Sequence, residues 1–182
     1  MGTRTLVLVR HGQYEPETGS LTVLGRKQAV ATARYLETWL EERAIAVMWS
    51  STMPRARETA DILSTHLGKP PLRAVGVLRE GLYTKVDGYD ATASERREDC
   101  ARATAAYGRI FRTSRFDRTE IVVCHGNLIR FLVCKALRTP VTKWLRMNTN
   151  HCAMTRILVR DTGAVRVVSY NETSHLAPKL VT

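Results

Sequence analysis

Two histidines in this sequence stand directly before a glycine, and each follows a run of apolar residues. The first is His11, in LVLVRHG, and the second is His125, in EIVVCHG. A third motif, SSTMPRARET, places Arg55 just after the proline that begins a helix-like pattern. A neutral imidazole is a nucleophile or proton carrier near pH 7, and arginine binds planar anions such as phosphate. These residue types together indicate chemistry on a phosphorylated or acidic substrate.

The elements that must position these residues alternate along the whole chain. The sequence predicts strands at 4–10, 45–50, 72–75, 119–124, 153–160 and 164–169. It predicts helices at 22–43, 54–67, 94–112 and 126–138, and a short one at 140–146. Such alternation is typical of an α/β fold in three layers, α/β/α, with a mostly parallel sheet. The last two strands are joined by DTGA, which favours a hairpin, so we expect the sheet to be mixed.

The 182 residues fit a single domain, 1–182, without a linker or repeat. Thr22 and Ser94 are candidate N-caps for the first and third helices. Pro54 suits the first turn of the second helix, whose apolar stripe leaves Arg55 off the buried face. Residues 83–93 are the best candidate for a long, mobile surface loop.

The three strand–turn–helix motifs are expected to meet at the carboxyl edge of the sheet. Ligands bind at that edge in open α/β sheets, and helix N-termini there offer free N–H groups to an anion. Taken singly, each residue has a plainer interpretation. A lone histidine is more often a satisfied polar residue, Arg55 a solvated helix residue and Glu80, in LREG, a surface carboxylate.

A metal site is the next alternative. The candidate ligands are His11, His125, His151 and the cysteines Cys100, Cys124, Cys134 and Cys152. No HxH, HxxxH or CxxC pair occurs in the sequence, so we expect no metal and no other cofactor. The cysteines follow no disulfide pattern and are expected to be reduced thiols.

The chain carries 28 Lys and Arg against 17 Asp and Glu, a net charge of +11. A nucleic-acid partner is one interpretation, but the basic residues form no long tract and no RNP-type aromatic motif is present. We therefore do not expect nucleic acid as the main partner, since a field that attracts phosphorylated substrates explains the charge equally well. No apolar run approaches the roughly 18 residues that a membrane span needs, so no membrane segment is predicted.

The motifs LVRHGQ, SSTMPRARETADIL, LREG and VCHGNLIRF, in this order, resemble the histidine phosphatase (phosphoglycerate mutase-like) superfamily over nearly the whole chain. LTVLGRKQA, WLRMN and ETSHLAPKLVT are similar to its mitochondrial serine/threonine-protein phosphatases. The resemblance implies that His11 is a nucleophile that becomes phosphohistidine, and that Glu80 is the proton donor. It implies a phosphate clamp formed by Arg10, Arg55, His125, Gly126 and Asn127. Gln13, Tyr14 and Thr22 are candidates for facing the substrate.

The resemblance also implies the reaction and its setting. We expect hydrolysis of phosphate monoesters on phosphoserine and phosphothreonine proteins. The alternatives are a small-molecule phosphatase for sugar or nucleotide phosphates, a phosphoglycerate mutase and a non-catalytic adaptor. A mutase needs a long insertion before the acid, whereas only about a dozen residues separate His66 from Glu80.

We expect a soluble intracellular domain, mitochondrial and anchored by a preceding segment if the narrower resemblance holds. A homodimer is a further expectation. Trp144, Leu176 and Leu180 are candidates for its interface, although packing onto the domain's own core is the simpler account.

Overall fold

A computed structural model of the protein describes residues 2–41 and 43–182. The strands are β1 (Thr3–Arg10), β2 (Ile45–Ser51), β3 (Leu72–Val75), β4 (Arg118–Cys124), β5 (Met154–Arg160) and β6 (Val165–Glu172). The helices are α1 (Val23–Leu40), α2 (Pro54–His66), α3 (Ala93–Ile110) and α4 (Gly126–Ala136). Short 3₁₀ turns lie at Gly76–Leu78, Val141–Arg146 and Pro178–Leu180.

The six strands form one mixed sheet in the order β3-β2-β4-β1-β5-β6. Strands β3, β2, β4 and β1 are parallel, whereas β5 is antiparallel to β1 and to β6. β1 and β4 are adjacent and in register, with Arg10 opposite Cys124. The two His–Gly motifs therefore leave the sheet side by side at its carboxyl edge.

Helices cover both faces of the sheet, which confirms the three-layer α/β/α prediction. Successive residues of β1 point to opposite faces, as the two-residue period of a strand requires. Leu6 and Leu8 pack with α3 and α4, whereas Val7 and Val9 pack with α1 and α2. The central strands are thus buried on both sides, and only their ends are available for polar residues.

The predicted elements are all present, with ends that differ by a few residues. The cap of α3 is wrong: Thr92, and not Ser94, accepts the N–H of Glu95, whose side chain accepts the N–H of Thr92 in a capping box. The predicted surface loop 83–93 carries no strand, and α3 begins at Ala93. Its first residue, Tyr83, is buried against Phe131.

The candidate interface residues Trp144 and Leu176 are buried in the two cores, and Leu180 is partly buried. Trp144 also donates to the Thr84 hydroxyl. These side chains stabilise the domain itself, so a homodimer needs another surface and stays a prediction.

Gly25, in the first turn of α1, lets the helix lie directly against the loop that follows His11. A Cβ atom on Gly25 would be 2.0 Å from the Gln13 carbonyl oxygen, and one on Gly12 would be 2.5 Å from the Gly25 carbonyl oxygen. Both obstacles are backbone atoms, which cannot rotate away. The close contact explains a glycine inside a helix, where it is intrinsically unfavourable.

We expect Gly25→Ala to destabilise the fold by about 1–3 kcal/mol, because the new methyl group must displace the loop beside His11. The control is Gly108→Ala in α3, where an added Cβ has no neighbour within 4 Å. That substitution is expected to stabilise the protein by up to about 1 kcal/mol through helix propensity. Urea unfolding measures both changes, and equal effects would contradict the close-contact explanation.

Candidate active site

The His11 ring is held in one tautomer at the end of β1. Its Nδ1 atom lies 2.8 Å from the Gly12 carbonyl oxygen, which can only accept, so Nδ1 carries the hydrogen. The other nitrogen, Nε2, accepts a hydrogen bond of 3.0 Å from the Nε–H of Arg55. The Nε2 lone pair is therefore available for attack on phosphorus once Arg55 moves to another acceptor.

Arg55 is buried, 8% exposed, which corrects the prediction that it lies off the buried face. The stripe on α2 packs on the sheet, but Arg55 is covered instead by the residues at the end of β1. Its guanidinium carbon lies 4.3 Å from the centre of the Tyr14 ring, and the Tyr14 ring meets His11 edge to face. Arg55 is thus fixed against both His11 and Tyr14.

Arg10 is the last residue of β1 and directly precedes His11. Its Nη1 donates to the Thr149 carbonyl oxygen, whereas its Nε is buried without a hydrogen-bond partner in the described part of the chain. A Cβ on Gly126 would lie 3.2 Å from that Nε, so the glycine leaves room for the guanidinium. Burial lowers the pKa of Arg10, an effect that the nearby Glu80 carboxylate opposes.

His125 forms the N-cap of α4 and faces His11, with 5.1 Å between the ring centres. Its Nε2 lies 2.8 Å from the Ser51 hydroxyl at the end of β2. Its Nδ1 is buried and has no hydrogen-bond partner within the described ranges. This nitrogen is the one available to a phosphoryl oxygen.

Both histidines are held neutral. The pKa of His11 lies well below 6.5, mainly because the ring is buried and secondarily because of His125, Arg10 and Arg55. Burial, followed by Arg55 and Arg10, lowers the pKa of His125 to about 3. Repulsion by the arginines contributes to both shifts, but desolvation has the larger effect.

Glu80 lies in the segment between the first 3₁₀ turn and α3, and α3 and α4 hold that segment in place. Arg102 donates to the Glu80 carbonyl oxygen at 2.8 Å, and Asn127 donates to the Gly81 carbonyl oxygen at 3.1 Å. Burial raises the pKa of Glu80 to about 7, although Arg10, Arg55 and Arg130 act in the opposite direction. A carboxyl group with this pKa can both give and take a proton near neutrality.

Comparison with known proteins agrees with this arrangement. The sequence model of the histidine phosphatase superfamily (branch 1) matches residues 6–106 and 96–173, which together span most of the chain. The chain belongs to the histidine phosphatase superfamily. The resemblance predicted from the motifs is therefore confirmed.

Similar curated proteins include the serine/threonine-protein phosphatase Pgam5, mitochondrial, of Caenorhabditis elegans, 36% identical over 190 residues. The protein of the same name from Homo sapiens is 34% identical over 194 residues. The two alignments cover 98% and 99% of this chain, respectively. The chain spans 66% of the length of each relative. Among solved structures, Plasmodium falciparum phosphoglycerate mutase is 30% identical to this chain and superimposes with a TM-score of 0.73. The superposition covers 98% of this chain and 96% of the mutase chain.

His11, Glu80 and His125 each place one potential ligand atom within 4.8 Å of the others, which is close enough together to hold a metal ion. Two observations favour an anion at this histidine phosphatase site instead. The Nε2 atom of His11 already accepts from a cation, Arg55, and Arg10 adds a second positive charge. Absence of a metal stays a prediction, tested below.

We expect Arg55→Ala to lower kcat/KM for a phosphate ester by about 10²- to 10³-fold, with both KM and kcat affected. Arg55→Lys should recover only part of the loss, because an ammonium group lacks the Nε–H and the planar fork. The matched control is Arg57→Ala, on the exposed side of α2. Unchanged steady-state kinetics in Arg55→Ala would remove this residue from the clamp.

The three candidates for facing the substrate have partners of their own. Thr22 caps α1 by accepting the Gly25 N–H at 2.9 Å, and its hydroxyl lies 2.9 Å from Gln13 Oε1. Tyr14 lies against Arg55 and His11, as described above. Contact with a substrate stays a prediction for Gln13, Tyr14 and Thr22.

Four further polar residues support the site, of which sequence reasoning singled out only His151, as a candidate metal ligand. Ser51 contacts His125, and Thr59 accepts the Gly12 N–H at 3.1 Å. Gln28 accepts the Gln13 N–H at 2.8 Å, and the His151 ring lies 5.6 Å from His11. Gln28 and Thr59 could have been noticed, because each is a polar residue among the apolar residues of a helix stripe.

Proposed function

We propose that this chain is a metal-independent phosphatase that hydrolyses phosphate monoesters through a phosphohistidine at His11. One observation carries the proposal: the Nδ1–H of His11 is bound to a carbonyl oxygen, so that Nε2 presents its lone pair next to Arg55. A nucleophile in the required tautomer beside a cationic clamp is what phosphoryl transfer needs.

The reaction would proceed in two steps. In the first, His11 Nε2 bonds to phosphorus while the ester P–O bond breaks, and Glu80 gives its proton to the leaving oxygen. Arg55, Arg10 and His125 bind the phosphoryl oxygens, on which negative charge accumulates. In the second, the Glu80 carboxylate takes a proton from water as the water oxygen bonds to phosphorus and the P–N bond breaks. Phosphate leaves, and neutral His11 and protonated Glu80 are restored.

Phosphoserine and phosphothreonine proteins are the proposed substrates. The similar curated proteins are named serine/threonine-protein phosphatases, and the net charge of +11 favours acidic partners. A small-molecule phosphatase for sugar or nucleotide phosphates is the second candidate. The likeness to a phosphoglycerate mutase raises a third, but residues 67–79 contain only β3 and one 3₁₀ turn before Glu80, without a long insertion that closes over a small substrate.

A mitochondrial location is proposed from the names of the relatives. Among the helices of residues 2–41 and 43–182, none is long and apolar enough to cross a bilayer. Expression of the full natural protein with a fluorescent tag tests the location.

The proposed function is tested by phosphate release with excess chelator. We expect turnover of p-nitrophenyl phosphate and of phosphoserine and phosphothreonine peptides, unchanged by the chelator because the arginines supply the positive charge. Sugar phosphates and nucleotide monophosphates should be poorer substrates by kcat/KM. Loss of turnover on chelation, restored by a divalent ion, would contradict the metal-free mechanism. No turnover on any ester would favour the adaptor.

A further inference from the structure

His151 lies beside the proposed nucleophile, although the mechanism above gives it no role. Its ring is the third one around His11, together with those of Tyr14 and His125. The Nε2 atom of His151 is buried and has no hydrogen-bond partner in the described residues. The next residue, Cys152, donates its N–H to the Arg10 carbonyl oxygen at 3.0 Å, which ties this part of the chain to the end of β1.

A chain of hydrogen bonds leads from the Gln13 backbone to the His151 ring. It begins at the Gln13 N–H, which can only donate, so the Gln28 atom that it meets at 2.8 Å is the acceptor Oε1. The Gln28 Nε2 group then donates its two hydrogens, to the Leu180 carbonyl oxygen at 2.8 Å and to the Thr182 Oγ1 at 2.9 Å. Gln28 is completely buried, so both of its polar atoms are committed to these partners.

The last link joins Thr182 to His151. The Thr182 hydroxyl accepts from Gln28 with one lone pair, so its own hydrogen is free to be donated to the His151 Nδ1 atom, 3.0 Å away. The backbone supports this contact, because the His151 N–H donates to the Thr182 carbonyl oxygen at 2.8 Å. With Nδ1 accepting, the single hydrogen of the neutral ring is on Nε2.

We propose that His151 donates a hydrogen bond from Nε2–H to the phosphoryl group that His11 attacks, and that Thr182 and Gln28 position it for this contact. The proposal rests on the proposed function and extends its phosphate clamp by one neutral donor. A donor aimed at developing negative charge in a buried site stabilises the transition state.

The charge state of His151 agrees with a neutral donor. Burial, with Arg10 as the next cause, lowers the pKa of His151 to about 4. The ring is therefore neutral at the pH at which Glu80 works, and its contribution is a hydrogen bond rather than a positive charge.

The test is the affinity for inorganic phosphate, measured by calorimetry at neutral pH on the whole chain. An asparagine amide nitrogen can replace only Nδ1 of histidine, whereas a glutamine amide nitrogen reaches the place of Nε2. We expect His151→Asn to weaken phosphate binding by about 10- to 100-fold, the effect of losing a hydrogen bond to a charged group. His151→Gln should stay within a few-fold of the unsubstituted protein. His66→Asn, at the far end of α2, is the control and should bind normally.

The outcomes separate this proposal from the proposed function. Equal affinities for all variants, or equal losses in His151→Asn and His151→Gln, would overturn the His151 contact, because a merely structural role does not distinguish the two amides. If phosphate affinity follows the expected pattern but no ester is hydrolysed, the contact is supported and the phosphatase proposal fails. If the unsubstituted protein, His151→Asn and His151→Gln hydrolyse esters equally well, the phosphatase proposal stands and only the His151 contact fails.

The role of Thr182 in positioning His151 is tested separately by the ¹⁵N chemical shifts of the His151 ring, which report its tautomer. We expect the Nε2–H tautomer in the unsubstituted protein and in Thr182→Ser. Thr182→Val removes the hydroxyl at an exposed position, and should shift the ring toward Nδ1–H and weaken phosphate binding. An Nδ1–H tautomer in the unsubstituted protein would overturn the proposal.

Discussion

Replacing His11 by alanine should lower turnover of any phosphate ester by more than about 10⁴-fold, because the group that bonds to phosphorus is removed. The surrounding clamp does not depend on that ring. Arg10 is held by the Thr149 carbonyl oxygen, and His125 by Ser51. Inorganic phosphate should therefore still bind to His11→Ala within about tenfold of normal affinity, since the hydrogen bond that is lost joins Arg55 to His11 rather than to phosphate.

The covalent intermediate gives the second part of this test. Brief incubation with a ³²P-labelled phosphoprotein, followed by denaturation, should trap label on the unsubstituted protein and none on His11→Ala. A phosphohistidine is labile in acid and stable in base, whereas a phosphoserine is stable in acid and labile in base. His66→Ala is the matched control and should label normally. Near-normal turnover in His11→Ala, or an acid-stable label, would assign the nucleophile elsewhere.

The positions of His11 and Arg55 were predictable to different degrees from the sequence. β1 is a buried strand that ends at a polar turn, and parallel strands end at one edge, so the meeting of His11 and His125 follows from topology. The burial of Arg55 did not follow, because the apolar stripe of α2 reports only contacts with the sheet. What buries Arg55 is Tyr14, whose place depends on the turn after β1.

Hydrogen-bond partners were the least predictable feature. The capping box at Thr92 and Glu95 has a local signature, whereas Ser94 suits only a helix that begins later than the observed start at Ala93. Ser51 and His151, by contrast, reach the site from separate strand ends, and no local pattern reports which side chain meets which. The tautomer of His11 likewise requires the coordinates of the Gly12 carbonyl oxygen.

Glu120 and Glu80 show why composition and hydropathy alone do not reveal a proton donor. Glu120, in the middle of β4, accepts hydrogen bonds from Arg4 and Trp49 and pairs with Arg118, so its charge is compensated. Glu80 has one oxygen, Oε1, that is buried without a partner in the described structure. A carboxylate that is paired has a stabilising role, whereas one that lacks a partner has a raised pKa and is a functional candidate.

Glu80→Gln tests the role of that unpaired group. We expect kcat/KM for a phosphoserine peptide to fall by about 10²- to 10⁴-fold, because an amide cannot protonate the leaving alkoxide. The loss should be much smaller for p-nitrophenyl phosphate, whose leaving group departs without a proton. An equal loss on both substrates would argue against proton donation. Glu95→Gln, at the exposed start of α3, is the matched control for kinetics.

The pH dependence follows from the same group. The free enzyme is active with Glu80 protonated, so kcat/KM for the peptide should fall as pH rises through about 7, the pKa of this carboxyl group. His11 limits activity only at acid pH, since its pKa lies well below 6.5. The substrate phosphate also ionises, with a pKa of about 6, but this ionisation is the same for the unsubstituted protein and for Glu80→Gln. The limb above neutrality should therefore be absent in Glu80→Gln.

The free energy of unfolding gives a readout that does not depend on catalysis. Because the pKa of Glu80 rises from 4.5 to about 7 on folding, the folded state binds the proton more tightly than the unfolded state. Its contribution to stability therefore decreases as pH rises from 4.5 to about 7, by about 3 kcal/mol in total. Glu80→Gln removes this decrease, so the variant should be more stable than the unsubstituted protein at pH about 8 and should lose that advantage near pH about 4. A stability difference that does not change with pH would mean that the Glu80 carboxyl group titrates normally and cannot serve as the acid near neutrality.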